Sequence, residues 1–182
     1  MEEKNKAWKT VSSKYLFRRP WLTVRCEDML LPNGNHIPEY YILEYPDWVN
    51  TIAITKEGKF VFVRQYRPGI QRTCYELCAG VCEAEDASPL VSAQRELWEE
   101  TGYGKGNWQE YMVVSANPST HTNLTHCFLA TDVELIDHQH LEDTEDLSVH
   151  LLTLEEVRSL LENNEIMQSL NAAPLWKYMA SL

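Results

Sequence analysis

Three glutamates crowd into the stretch "QRELWEETGY" at residues 94–103: Glu96, Glu99 and Glu100, with Arg95 beside them. Like charges so close on one helix repel. Either this is an ordinary solvated face, or a doubly positive ion belongs between the carboxylates. Hard divalent cations such as Mg2+ prefer carboxylate oxygens and keep several waters, so three convergent glutamates suit them chemically. A helix turns about 100° per residue, which places the three within an arc of roughly 100°. Leu90, Ala93 and Leu97 form an apolar stripe about a quarter-turn away, so the carboxylates belong beside the docking face, at the rim of a cleft. Arg95 stands one turn before Glu99, the spacing of an intrahelical ion pair that holds one carboxylate and leaves two free.

The helix that carries them is predicted from about Pro89 to Thr101. Ser88 suits its N-cap, Pro89 the first helical position and Gly102 the left-handed residue after its end. Before it, "WLTVRCEDMLL", "PEYYILEY", "NTIAIT" and "KFVFVRQY" read as strands, rich in β-branched and aromatic residues. Asn33-Gly34 marks a hairpin, and "TKEGK" supplies another turn. "WQEYMVVSA", "LTHCFLATDVEL" and "DLSVHLLT" fit further strands. A second helix begins at "TLEEVRSLLENNE", where Thr153 and Glu156 have capping-box spacing, and "APLWKYMASL" fits a short third one. The pattern is an α+β domain in which a mostly antiparallel sheet packs against a few helices.

The wider stretch "YELCAGVCEAEDASPLVSAQRELWEETGY" resembles the Nudix box: a glycine, a spaced glutamate, then Arg-Glu-apolar-x-Glu-Glu-x-Gly-apolar. Gly80 stands at the opening glycine, and Arg95, Glu96, Leu97, Glu99, Glu100, Gly102 and Tyr103 match the second half throughout. The family's glutamate six positions after the glycine is Asp86 here, and the interval to the arginine is one residue longer, leaving Glu85 and Asp86 both open for that role. The resemblance implies an α/β/α Nudix sandwich with a mixed sheet, hydrolysing a nucleoside diphosphate linked to another moiety. It implies that Glu96, Glu99 and Glu100, with backbone groups of the Gly80 loop, hold Mg2+ or Mn2+. Arg95 then orients Glu99, and metals neutralise the diphosphate and activate a water. The general base is left open between Glu99, Glu100 and a loop residue.

"VRQYR", "ELCAG" and Pro118, sixteen residues after Gly102, resemble the ADP-ribose pyrophosphatase branch. That likeness implies an N-terminal β subdomain (1–48) that dimerises, a catalytic domain (49–182), and ADP-ribose or a related nucleoside diphosphate sugar as substrate. Arg67, with Arg64 undecided, is expected to meet phosphate through its guanidinium fork, and Glu76 to contact substrate or metal. After Pro118 the branch carries an acidic residue, whereas "NPSTHTNLTH" has none. His121, Asn123, His126 and Asn117 are the polar candidates there, a histidine being able to act as base near neutral pH. The loop also supports an alternative, a Nudix module that binds or senses such a nucleotide without turnover. Trp21 is one candidate stacking wall for a nucleobase.

With 16 basic against 27 acidic residues, the net charge of −11 disfavours a nucleic-acid groove or an anionic membrane as partner. "MEEKNKAWKT" lacks the apolar core of an export leader, and no stretch approaches the roughly 18 apolar residues of a membrane helix. Five cysteines without a CxxC pair read as reduced thiols in the cytoplasm. Cys74, Cys78 and Cys82 are spaced by four, but Gly80 and the strand character argue against a metal-binding helix. "DHQH" at 137–140 reads as a solvated loop for want of a third metal ligand.

Overall fold

A computed structural model describes residues 6–19 and 21–182; residues 1–5 of the charged leading stretch lie outside the described residues. The chain forms two compact units. One reaches to Tyr45 and includes Asn117–Asn123; the other comprises Pro46–Ala116 and Leu124–Leu182.

In the first unit, β1 (Lys9–Arg19), β2 (Leu22–Leu30) and β3 (His36–Glu44) form an antiparallel sheet in that order. Gly34, at φ 87°, takes the left-handed position of the turn between β2 and β3, where its N–H donates to Leu31 O at 2.9 Å. The segment Asn117–Asn123 joins this unit through backbone pairing. Leu43 N–H donates to Thr120 O at 2.8 Å, Thr122 N–H returns to Leu43 O at 3.1 Å, and Tyr40 Oη donates to Ser119 O at 2.5 Å. β1 is exposed along its whole length.

The second unit holds an eight-stranded sheet: β4 (Trp48–Thr55), β5 (Phe60–Arg67), β6 (Arg72–Glu76), β7 (Cys78–Val81), β8 (Tyr103–Gly104), β9 (Asn107–Val114), β10 (Thr125–Leu135) and β11 (Leu147–Leu152). The helices are α1 (Pro89–Thr101), α2 (Leu154–Glu162) and α3 (Ser169–Met179). β4 pairs with β10 in parallel; the other pairings are antiparallel. Strands β4 and β5 share two residue pairs, Ala53–Val61 and Ile54–Phe60, and then diverge. Beyond the divergence β7 takes the first half of β4, Trp48 to Thr51, and β6 takes the second half of β5, Val63 to Arg67. This splay is what brings Arg67 and Gly80 to the wall of one cavity.

The sheet alternates its side chains between two cores. Ile52, Ile54, Phe60, Phe62 and Leu77 pack with Val157, Leu161 and Leu175 of α2 and α3. Ala53, Val61 and Val63 pack with Leu97 of α1, and Val49 with Ala93. The result is helix, sheet, helix, in three layers.

α1 spans the predicted residues. Ser88 Oγ accepts from Val91 N–H at 3.4 Å, and Gly102 ends the helix at φ 74°. Thr153 and Glu156 form the predicted capping box on α2. α3 differs from expectation: it begins four residues before "APLWKYMASL", and Pro174 lies inside it. An internal proline removes the N–H that would bond the carbonyl four residues earlier, here that of Leu170. Asn50 Nδ2, from the buried β4, donates to that carbonyl at 2.8 Å, so the helix continues without an orphaned acceptor. Cys74 and Cys78 fall on the two strands β6 and β7. Among the described residues no helix is long and apolar enough to cross a membrane.

Candidate active site

The burial of the three glutamates follows their angular distance from the apolar stripe. Ala93 and Leu97 face the sheet; Glu100 comes next round the helix, then Glu96, then Glu99. Glu100 is accordingly buried, at 4% exposure. The side chain of Glu96 is 14% exposed and that of Glu99 is 32% exposed. Glu100 Oε2 accepts from the backbone N–H of Ala79 on β7 at 3.1 Å. Burial, reinforced by the charge of Glu96, pushes its carboxyl up to about 8. Burial also raises Glu96, with Arg95 opposing the shift.

Gly80 contributes space. A Cβ on it would lie 2.1 Å from the Glu96 carboxyl carbon, so the carboxylate of Glu96 occupies the room that any other residue would fill. Its φ is not in the left-handed region, so close approach rather than turn geometry is what requires glycine here.

Arg95 binds more partners than the sequence spacing implied. Its Nη1 donates to Glu99 Oε2 and to Glu96 Oε1, both at 2.9 Å. Its Nη2 donates to Val81 O at 3.0 Å and to Asp86 Oδ2 at 3.1 Å. The guanidinium therefore holds two of the three carboxylates, not one, and ties α1 to the end of β7. Of the two acids left open for the accessory position, Asp86 is the one ion-paired to Arg95, which lowers its carboxyl below the usual range.

Arg67 and Glu76 meet across the β5–β6 pair. Arg67 Nε donates to Glu76 Oε1 at 2.8 Å and Nη2 to Oε2 at 2.5 Å, a two-pronged pair on a carboxylate that is 2% exposed. Arg67, Ala79 and Gly80 line a cavity of about 230 Å³, with Asn50, Thr125 and Asn171 as its buried polar members. A neighbouring cavity of about 360 Å³ is lined by Arg67, Glu76, Ile70 and Met167. Asn50, Thr125 and Asn171 were not singled out from the sequence. The signal available there was three uncharged polar residues within otherwise apolar strand and helix patterns.

Arg64 is placed apart from Arg67. They stand three positions apart on a strand of period two, so they face opposite sides of the sheet. Arg64 lies over the Tyr75 ring, 5.2 Å from its centroid. His121 and Asn123 belong to the first unit. His121 pairs with Leu43 in a parallel bridge and lies 5.3 Å from the Tyr45 ring. The Asn123 side chain is buried at 3% exposure, with neither amide atom hydrogen-bonded among the described residues. Asn117 caps its own loop through Ser119 N–H. His126 sits on β10 between Glu110 and Asp47, at 3.0 and 3.4 Å. Trp21 is 82% exposed.

Oxygen donors, a carboxylate buried with its charge only partly offset, and a second carboxylate nested against Gly80 fit a hard divalent cation. Arg95 is then the internal competitor for Glu96 and Glu99.

A family model described as NUDIX domain matches residues 45–172, and one described as nucleoside diphosphate sugar hydrolase N-terminal domain matches residues 8–43. The chain is 31% identical over 165 residues to an ADP-ribose pyrophosphatase of Bacillus subtilis (strain 168), covering 90% of this chain and 88% of that one. It is 30% identical over 162 residues to a methanol dehydrogenase activator of Bacillus methanolicus, covering 88% and 86%. The crystal structure of an ADP compounds hydrolase has the same fold, with a TM-score of 0.83 over 96% of this chain and 94% of that one, at 21% identity.

Proposed function

The chain belongs to the NUDIX domain family, and from that premise we propose a metal-dependent pyrophosphohydrolase cleaving ADP-ribose or a related nucleoside diphosphate sugar. The products are a nucleoside monophosphate and a sugar phosphate. The observation that carries this reading is buried Glu100 on the Ala79 N–H and Glu96 against Gly80, beside a cavity that Gly80 and Arg67 line.

Glu96, Glu99 and Glu100 hold Mg2+ or Mn2+, with Gly80 lending a backbone group. A cation there supplies neutralisation of the diphosphate and acidifies a bound water. The remaining work falls to the chain. Arg95 keeps Glu96 and Glu99 in place and charge-balanced, so a cation has to compete with its guanidinium. Arg67, held by Glu76, presents its remaining donors to a phosphate oxygen. Burial of Glu100 raises its basicity, which suits it to accept a proton from water as phosphorus is attacked, with Glu99 or a loop residue as the other candidates. His121, Asn123 and Arg64 stay as proposed substrate contacts.

The same reading makes the protein a cytoplasmic homodimer that dimerises through residues 1–48. Apolar side chains exposed on β1 and in the turn after it support this: Val11 at 51%, Phe17 at 56% and Trp21 at 82%.

The test is hydrolysis of a panel of nucleoside diphosphate sugars with Mg2+ or Mn2+, products identified by mass spectrometry, beside Glu100→Gln. Metal-dependent cleavage of one compound, lost in the variant, is the expected result. Tight binding of one compound with no cleavage across the panel would instead make the protein a sensor of it.

A further inference from the structure

Away from the glutamates, the loop that follows β10 gathers a different set of ligands. It closes over the C-terminal end of α1, where the last carbonyls of a helix need partners. Ile136 and Asp137 N–H donate to Gly102 O at 2.9 and 3.1 Å, and His140 N–H donates to Glu99 O at 2.8 Å. Gln139 Nε2 donates to Glu100 O at 2.8 Å. The His140 ring stacks on Trp98, with centroids 4.1 Å apart and planes at 28°. The loop is thus built onto the helix rather than hanging from it.

Within it both oxygens of Asp137 are taken by imidazoles. His138 Nδ1 lies 2.7 Å from Oδ1, and His140 Nε2 lies 3.0 Å from Oδ2. One ligand atom from each of the three residues lies within 4.8 Å of the others. The third ligand missing from the sequence reading of "DHQH" is therefore the aspartate inside the motif itself.

We propose that Asp137, His138 and His140 form a second metal site, for a borderline transition ion of the Zn2+ class, on the C-terminal cap of the glutamate-bearing helix. Two imidazoles and one carboxylate favour Zn2+, Ni2+ or Cu2+ over Mg2+. Three protein ligands leave a fourth position for water, the arrangement of an open zinc site. With Zn–N bonds of about 2.0–2.1 Å, ligand atoms in a tetrahedron lie about 3.3 Å apart, between the 2.7 Å and the 4.8 Å upper limit of the separations here, so only the wider ones have to close. His138, with its side chain 79% exposed, has the freedom to make that movement, while stacked His140 and the hydrogen-bonded backbone provide the fixed part. The partial negative charge at a helix C-terminus adds to the attraction for a cation.

The experiment is calorimetric titration of the untagged chain with ZnCl2 in the presence of excess Mg2+, for wild type, His138→Ala, His140→Phe and Glu100→Gln. His140→Phe keeps a ring on Trp98, and His138 is exposed, so both variants retain the fold; unchanged thermal melts check this. Expected is one Zn2+ per chain in wild type and in Glu100→Gln, weakened by about 100-fold or more in either histidine variant. Zn2+ binding that survives both histidine substitutions, or that disappears in Glu100→Gln alone, overturns the proposal.

Discussion

Glu96 and Gly80 act as one unit at the residue scale, because the carboxylate fills the space a Cβ would need. Gly80→Ala meets the far end of a flexible side chain, so Glu96 turns away at little cost in stability. The expected result is a melting temperature within a few degrees of wild type, with metal-dependent turnover down by about tenfold or more and a raised Mg2+ requirement. A variant with unchanged Mg2+ dependence would show that Glu96 does not need its nest. Glu100 sets a pH dependence for the metal-free protein. Burial pushes its folded carboxyl up to about 8 from the ordinary 4.5, so between those values the folded state binds more protons than the unfolded one. Stability is then lost as pH rises from about 4.5 to about 8, by on the order of a few kcal/mol. Melting scans in chelator should fall across that window, Glu100→Gln should flatten them, and Mg2+ should stabilise more at pH 8 than at pH 5. A flat wild-type profile would mean that Glu100 is better compensated than its burial implies.

At the scale of elements, what could be read locally was read well. α1 was legible because its stripe, its N-cap and its terminal glycine lie within one short run of sequence. Ser88→Ala removes the bond to Val91 N–H and should cost about 1 kcal/mol, or about 2–4 °C in thermal denaturation. A shift of zero would show that water replaces the cap. β1 was missed because "KTVSSKYLFRR" is exposed throughout and so shows no alternation against a core. α3 was begun too late because Pro174 reads as a first-turn proline, and the partner that lets it sit inside a helix, Asn50, lies on a distant strand. Arg67 was legible in "VRQYR" while Arg64 was left undecided; strand period separates them, and the tie from Arg67 to Glu76 depends on register across β5 and β6.

The whole molecule contains what no local window carries: the parallel pairing of β4 with β10, and the membership of Asn117–Asn123 in the first unit. The acid-free loop offered candidates for substrate contact in the sequence, and its backbone pairs with Leu43 of β3. The proposed dimer would bury the apolar side chains left exposed on the three-stranded sheet. Phe17→Asp places a charge on that surface and should shift a dimer towards monomer in sedimentation at micromolar concentration, with the second unit's helix content kept. A wild-type chain that already sediments as a monomer would remove the dimer from the reading.

The bond from Asn50 to Leu170 also imposes an order on how this sequence can change over evolutionary time. If Pro174 is replaced first, the restored N–H and the Asn50 amide can share the Leu170 carbonyl, since an oxygen accepts two hydrogen bonds. If Asn50 goes first, that carbonyl is left without a partner next to the core, at a cost of about 1–3 kcal/mol. The route is open in one direction: the proline has to leave before the asparagine is free to drift, although the two stand 124 positions apart.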